Sequence, residues 1–592
     1  MQTFRQNAFS GGMNYLLEDT RLAAQAQLQQ GNTPYSVTSS QYRLGFNVRT
    51  RFDVVSPIPS SVRDPACPSG LKQALLTVGN YLVVVIAGFA YYRLNTDTGW
   101  KQVNGFRMSP NAPRIWFVKV PLTTTLYGRV AGTTTIGANA YADAAAAVTQ
   151  LTQTESELGN QVGILFQDGV NQPQFMFFNS AGALIARTTQ NYSEWDYPLN
   201  PATLVLEGAD KREYVPVGTY MKWYNGVLFI VDNYFRYLYR SVSGRPLDFV
   251  VNIDKEGQAG GDATTTSYSV GVENITALEN VIGDSLFVAA GQSACFGVSF
   301  NQSNVAPKVF GEWTFNRVPL FNANCVSDLG IINILDDNVF IDADGIRSFK
   351  AVKELGNDGN NSVFSKSIQG LFTGITQKAT VTGDGTDFVA AVVFDNYGVF
   401  SVKTIFGYVL VIYDIINKCW VSIDDNQTGG SAVKQFAVTG SDTLQLFAIT
   451  ASNELYCLYS HPTNHDVASV RLGAVCSDDP AQSIKLGEVR CVFTEMTENL
   501  AVTASVFVDN RYSKQLVATI NYETPPANPV VDIGNDVGTQ VTNIRFPFID
   551  TAVGWKSFVH LSWVGNATLS NVSIGVGTNA SLQPIQTQAN IQ

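Results

Sequence analysis

The feature that most constrains this chain is a unit that returns along it. Each copy has a turn built from Gly, Asn or Asp, a short apolar strand, a second turn, and a strand rich in Tyr or Phe. Alternating and β-branched runs of this length make strands, and Gly-Asp or Asn-Gly pairs between them make hairpin turns. The densest copy runs from Arg245 to Phe300. It reads Arg245-Pro246-Leu247-Asp248-Phe249, a Gly- and acid-rich loop through Gly261-Asp262, then Ile275-Thr276-Ala277-Leu278 and Gly283-Asp284-Ser285-Leu286 before Phe287 to Gly291.

Three copies precede it. Val78-Gly79-Asn80-Tyr81 leads to Tyr91-Tyr92, Gly163 to Pro173 leads to Phe175-Met176-Phe177-Phe178, and Tyr224-Asn225-Gly226-Val227 leads to Tyr237-Leu238-Tyr239. Three follow it, over Leu335 to Phe349, Phe388 to Trp420, and Gly440 to Tyr459. Antiparallel units of about 40–60 residues with drifting sequence suit a β-propeller, although no WD or kelch signature is present. A stack of β-sandwiches is the other fold this pattern allows. After His465 the character changes to longer alternating strands, notably Glu488 to Phe493, Val502 to Asp509 and Phe558 to Trp563, which read as a sandwich.

The expectation is therefore an all-β chain, an irregular β-propeller with a C-terminal β-sandwich domain. Residues 1–60 are read as an extended segment docking on the propeller or on a neighbouring subunit, with a short helix near Leu16 to Ala23. Residues 61–465 form the propeller, with an Ala/Thr-rich insertion over 131–159 that shows no strand pattern and reads as a rim loop or short helix. Residues 466–592 form the sandwich and a polar tail.

At 592 residues the chain needs more than one core. Charged residues make up only 15%, so partners or uncharged polar groups must cover much of the surface. A formal charge of −11 argues against a sequence-reading DNA-binding protein, which needs a basic face. The 7 cysteines are dispersed and never spaced C-x-x-C, so they read as reduced small hydrophobes. No charged-then-apolar leader opens the chain. The membrane-like run from Leu75 to Tyr92 is split by Gly79-Asn80, so it reads as a buried hairpin rather than a span.

Chemistry finds little support. Gly283-Asp284-Ser285-Leu286 spells the nucleophile block of GDSL-type esterases, whose serine needs a histidine base from a downstream Asp-x-x-His. Among the 3 histidines, His461, His465 and His560, none has an aspartate three positions earlier. Asp342-Ala343-Asp344-Gly345 is like the start of a calcium loop but lacks its later oxygen ligands and closing glutamate. The acid pairs Asp336-Asp337, Asp424-Asp425 and Asp478-Asp479 read as solvated turns. No glycine-rich loop ends in Gly-Lys-Ser/Thr. No residue is assigned as catalytic, cofactor-binding or metal-ligating, and the chain is expected not to be an enzyme.

In this order, several segments resemble the tail nozzle family of short-tailed bacteriophages, the tail tubular protein B family. They are Phe9-Ser10-Gly11-Gly12-Met13-Asn14, Asn47-Val48-Arg49-Thr50-Arg51, Gln167 to Pro173, Arg245 to Phe249 with Gly261-Asp262 and Ile275 to Leu278, and Asp344-Gly345-Ile346-Arg347-Ser348-Phe349. They span most of the chain before residue 460. The resemblance does not map the Ala/Thr insertion or the C-terminal sandwich. What the resemblance implies is a structural protein of the virion tail. It would be a homo-oligomeric ring, a hexamer in that family, joined to tail adaptor proteins and to tail fibres or spikes. Double-stranded DNA would pass through the lumen without sequence-specific binding. Acidic residues facing such a lumen would repel phosphate and keep the genome from sticking. A second class of function remains open, a propeller that binds or acts on polysaccharide, with Trp100, Trp223 and Trp420 stacking on sugar rings.

Overall fold

The computed structural model describes residues 2–14, 41–122, 161–188, 215–241, 274–280, 286–302, 313–350, 364–372, 388–476, 483–522 and 540–578, apart from short gaps, with small strand pieces at 135–140, 199–206 and 268–269. The helix expected near Leu16 to Ala23, the loop from 250 to 267, the Gly283-Asp284-Ser285 turn and the tail beyond 578 lie outside the described residues.

The fold is all-β. Among the described residues, the propeller consists of seven antiparallel units in chain order, one for each copy of the sequence unit. The first is Lys72–Val78, Tyr81–Ile86, Phe89–Leu94 and Lys101–Gln102; the second is Trp116–Leu122, Gln161–Gln167, Gln174–Phe178 and Leu184–Thr188. The third begins with Gly218–Tyr224, the fourth with Ile275–Asn280 and the fifth with Ile331–Ile334. Ala390–Phe394 opens the sixth and Val433–Thr439 the seventh.

The turns explain the hairpins. Gly79 sits at φ +57° in the two-residue turn that pairs Val78 with Tyr81, so the membrane-like run is a hairpin. Its strand Tyr81–Ile86 is buried from Leu82 onward. Asn225 and Gly226 both take positive φ, as do Asp395 and Asn396, the geometry that matches the twist of the flanking strands. An aspartate also closes several strands. The Asp168 Oδ1 accepts from the backbone N–H groups of Val170 and Asn171 at 2.9 and 2.7 Å, and Asp414 does the same for Ile416 and Asn417 at 2.9 and 3.0 Å. These side chains replace backbone partners that a tight turn leaves unmade.

The opening strands of units two, three and four contact one another in series, as do those of units five, six, seven and one, and together they form the inner wall of the ring. The last unit meets the first: Leu75 and Val84 share an apolar cluster with Phe447 and Ile449, and the Leu75 N–H donates to Gln435 Oε1 at 3.0 Å. The seventh sheet takes its outer strand, Val62–Arg63, from ahead of the first unit. Each opening strand begins on one face of the ring. Alternation then puts the turns between second and third strands on that same face, which we call the entry face.

The sandwich differs from the expected contiguous unit over 466–592. One of its sheets contains Ile484–Met496, Gln540–Pro547 and Thr568–Thr578, but also Gln2–Gln6, Val48–Arg51 and Val54–Pro57 from the N-terminal segment. The other sheet contains Leu500–Val508, Arg511–Ile520, Lys556–Val564 and Ala468–Arg471, and continues through Leu44–Phe46 into the outer strand Cys419–Asp424 of the sixth propeller unit. Leu500–Val508 alternates buried and half-buried residues without a break, as a strand with one core face must. Phe493 and Trp563 meet edge to face, with ring centroids 5.5 Å apart, between the sheets. The N-terminal segment is thus a set of strands within both sheets, and Leu44–Phe46 covers what would be two open sheet edges. In the Ala/Thr-rich insertion, expected to lack strands, Thr135–Ile136 pairs with Asn139–Ala140.

Candidate functional site

Three joints of described polar side chains tie distant parts of the chain together. The first crosses the bore. Arg114 lies just ahead of the second unit's inner strand, and Asp328 opens a single 3-10 turn ahead of the fifth unit's inner strand, both on the entry face. The turn is capped by Ser327, whose hydroxyl accepts from the Leu329 N–H at 3.2 Å. The Arg114 guanidinium donates to both Asp328 oxygens at 2.7 and 2.6 Å. Units two and five are not neighbours in the ring, so this contact passes through its axis. The guanidinium carbon also sits 5.5 Å from the Trp116 ring centroid and 5.8 Å from that of Tyr220. Burial opposes the arginine charge, but Asp328 outweighs it and holds the Arg114 pKa above its ordinary value. Burial pushes the Tyr220 hydroxyl far up, so it stays protonated.

The second joint is the seam between the first and last units. The buried Lys72 ammonium donates to the Asn453 carbonyl at 2.7 Å, and Lys434 donates to the Asn453 side-chain oxygen at 2.8 Å. No carboxylate among the described residues forms an ion pair with either. Burial, with Lys72 beside it, lowers the Lys434 pKa to about 8.

The third joint holds the N-terminal strands. Arg49 donates to Asp424 at 2.8 and 3.2 Å, and its guanidinium lies 4.8 and 5.1 Å from the ring centroids of Tyr459 and Tyr397. The Asp424 carboxylate, 0% exposed, also accepts from the Tyr459 and Ser422 hydroxyls, each at 2.7 Å. Every oxygen of this buried carboxylate is engaged, the condition under which a buried charge is tolerated. Arg51 pairs with Asp395 at 2.9 Å at the surface. The Asn47 amide bonds Asp425 at 2.8 Å and the Val467 carbonyl at 3.1 Å.

These positions correct the reading of Asp424-Asp425 as a solvated turn, since Asp424 is locked in the interior. The signal available was its place at the end of the apolar strand Cys419–Asp424. Arg114 and Asp328 carried no local signal, because each finds its partner in another unit; Lys434 carried none because Asn453 lies 19 positions on and Lys72 in the first unit. The other singled-out residues fall apart in space. Leu286 opens a strand of the fourth unit, whereas His560 lies in the sandwich, where burial and Arg471 lower its pKa to about 4. The His461 Nδ1 accepts from the Asn464 N–H at 2.9 Å within its own loop, and His465 Nδ1 is 3.4 Å from Glu498. Asp342 pairs with Arg347 across its turn. Asp337 accepts from Ser348 and from the Lys350 N–H, while Asp336, Asp344, Asp478 and Asp479 lie outside the described residues. Trp420 is buried in the core, and Trp100 and Trp223 are partly buried against theirs. Cys67, Cys325, Cys419, Cys457 and Cys491 are reduced thiols. Among the described residues, no group of three or more His, Cys, Asp or Glu side chains is arranged to hold a metal ion, and no helix is long and apolar enough to cross a membrane.

No protein-family model matches the sequence, and no curated protein matches it. Among solved structures, YCF48 bound to D1 peptide matches at 10% identity and a TM-score of 0.31, over 69% of this chain and 100% of that one. The β-propeller domain of Myceliophteria thermophila Cps50 (Swd1) matches at 10% identity and a TM-score of 0.27, over 68% and 99%. The AfRom2 CNH domain matches at 9% identity and a TM-score of 0.32, over 67% and 99%.

Proposed function

We propose that this chain is the structural subunit of a ring-shaped tail nozzle in a short-tailed phage virion. Copies of it, six in the resembled family, would surround a channel for the exiting genome. The ring would join tail adaptors on one side and carry fibres or spikes on the other.

The observation that supports this reading is the Arg49–Asp424 joint. The segment Asn47-Val48-Arg49-Thr50-Arg51, which carries part of the resemblance, is a strand clamped between propeller and sandwich. Its residues couple the two parts into one body, as a subunit that transmits load along a tail requires. The Arg114–Asp328 pair supports the same reading from the other side. It crosses the propeller's own bore, so a DNA path would run between subunits. Electron microscopy of negatively stained protein, alone and mixed with disrupted virions, tests the proposal. Rings with a central channel that dock at tail tips are expected. Monomers that never join a tail would overturn it.

A further inference from the structure

We propose that the entry face carries a binding cleft for carboxylated carbohydrate at the boundary of the third and fourth propeller units. The cleft, about 450 Å³, is lined by Tyr234, Arg236, Tyr237 and Asn274. That size suits one or two sugar rings rather than a polymer groove. Tyr234 is 72% exposed and Tyr237 43%.

What singles out this cleft is the contrast between its backing and its lining. The backing is over-determined. Asp232 Oδ1 accepts from the backbone N–H groups of Arg236 and Tyr237 at 2.6 and 2.9 Å. Phe235 takes φ +62°, an outlier for a bulky residue, and wedges its ring against Trp116 and Tyr220, with centroids 6.3 and 5.9 Å away. Its carbonyl accepts from the Ile275 N–H at 2.6 Å, which brings Asn274 of the next unit to the rim. Strain of this kind persists where the surroundings hold it, and it marks positions that present neighbouring side chains in a fixed pose.

The lining, by contrast, is unspent. Among the described residues, both tyrosine hydroxyls, the Arg236 guanidinium and the Asn274 amide have no hydrogen-bond, ion-pair or ring partner. Two aromatic faces stack on the C–H faces of a sugar. The amide offers donors and an acceptor for ring hydroxyls, and the guanidinium offers a fork that fits a carboxylate. Nucleic acid would use the same aromatics and arginine, but a run of phosphates needs several cations, and among the described lining residues Arg236 is the one cation, enough for a single carboxylate. The inference does not depend on the ring assembly, because all four side chains belong to one copy.

Binding is measured by saturation-transfer NMR and calorimetry on the full chain, with tetragalacturonate and sialyllactose as acidic probes and a dextran tetrasaccharide as the neutral one. A glutamate-rich peptide and oligothymidylate represent the other classes. Both acidic probes are expected to bind more tightly than dextran. Tyr234→Ala should weaken them about tenfold, and Arg236→Gln should remove about tenfold of the preference for acidic over neutral sugar. Tyr234→Phe should keep most of the affinity, and Val170→Ala, on the neighbouring unit's turn, should change nothing. Thermal melting of each variant confirms that the fold is intact, as exposed positions allow. The proposal is overturned if neither acidic probe binds, if dextran binds as well as they do, or if the peptide or oligothymidylate binds more tightly. Binding that survives both Tyr234→Ala and Arg236→Gln also overturns it.

Discussion

Arg114 and Asp328 are separated by 214 positions in the chain and form a two-pronged ion pair at 2.7 and 2.6 Å across the bore of the propeller. A contact of that span ties together two units that share no sheet. It places a bridging ion pair across the bore of the subunit.

Removing one partner leaves the other charged and poorly solvated. Arg114→Met or Asp328→Asn is expected to cost about 3 kcal/mol of unfolding free energy. The double variant Arg114→Met/Asp328→Leu should cost less than either, because both desolvation penalties leave together. Urea titration of the three variants checks this. A double variant as weak as the sum of the singles would show that the two residues act independently.

The Arg49–Asp424 joint predicts a local effect. In Arg49→Met the strands Leu44–Phe46 and Val48–Arg51 should open more often than the rest of the molecule, and limited proteolysis should cut near them about ten times faster than in the parent chain. Cutting at unchanged rate would mean that strand pairing alone, without the ion pair, holds the segment.

Lys434 sets an alkaline dependence. Its pKa is lowered from 10.5 to about 8 in the folded chain, so between those values the unfolded chain binds more protons. Stability at this site therefore rises with pH across that window and is lost as pH falls through about 8. Lys72 is the charged neighbour responsible after burial itself. The melting temperature of the parent relative to that of Lys434→Met should rise as pH goes from 8 towards 10, and a constant difference would refute the assignment.

His560 does the same on the acid side. Burial and Arg471 lower its pKa from 6.5 to about 4. Its contribution is complete above the unfolded value and lost as pH falls through about 4. His560→Phe should flatten that limb of the stability profile, and NMR titration of the imidazole checks the folded value.

The units of the propeller were legible in the sequence because their information is local. Gly79-Asn80 and Asn225-Gly226 announce their hairpins within four residues, and Asp168 and Asp414 cap their turns through neighbours two and three positions on. The allegiance of the N-terminal strands was not legible. The Tyr42 hydroxyl finds the Val421 carbonyl 379 residues away, and no short-range pattern encodes that choice. The same reason hid Arg114 and Asp328, each ordinary in its own stretch. Asp424 was misread because adjacency to Asp425 outweighed its place at the end of an apolar strand. The cleft of Tyr234 and Arg236 was hidden differently: it depends on the positive φ of Phe235 and on Asn274 from the next unit, and no short-range pattern encodes either.

The pairing of Val62–Arg63 with Tyr456 and Cys457 has a consequence for biosynthesis. At about 5–20 residues per second, translation leaves the early strand without its partner for roughly twenty to eighty seconds. Throughout that time its hydrogen-bonding groups must stay in water or in the keeping of a chaperone. The ring snaps shut only when the last unit has emerged, so a truncated product would remain an open arc, and quality control could tell finished subunits from unfinished ones by that gap.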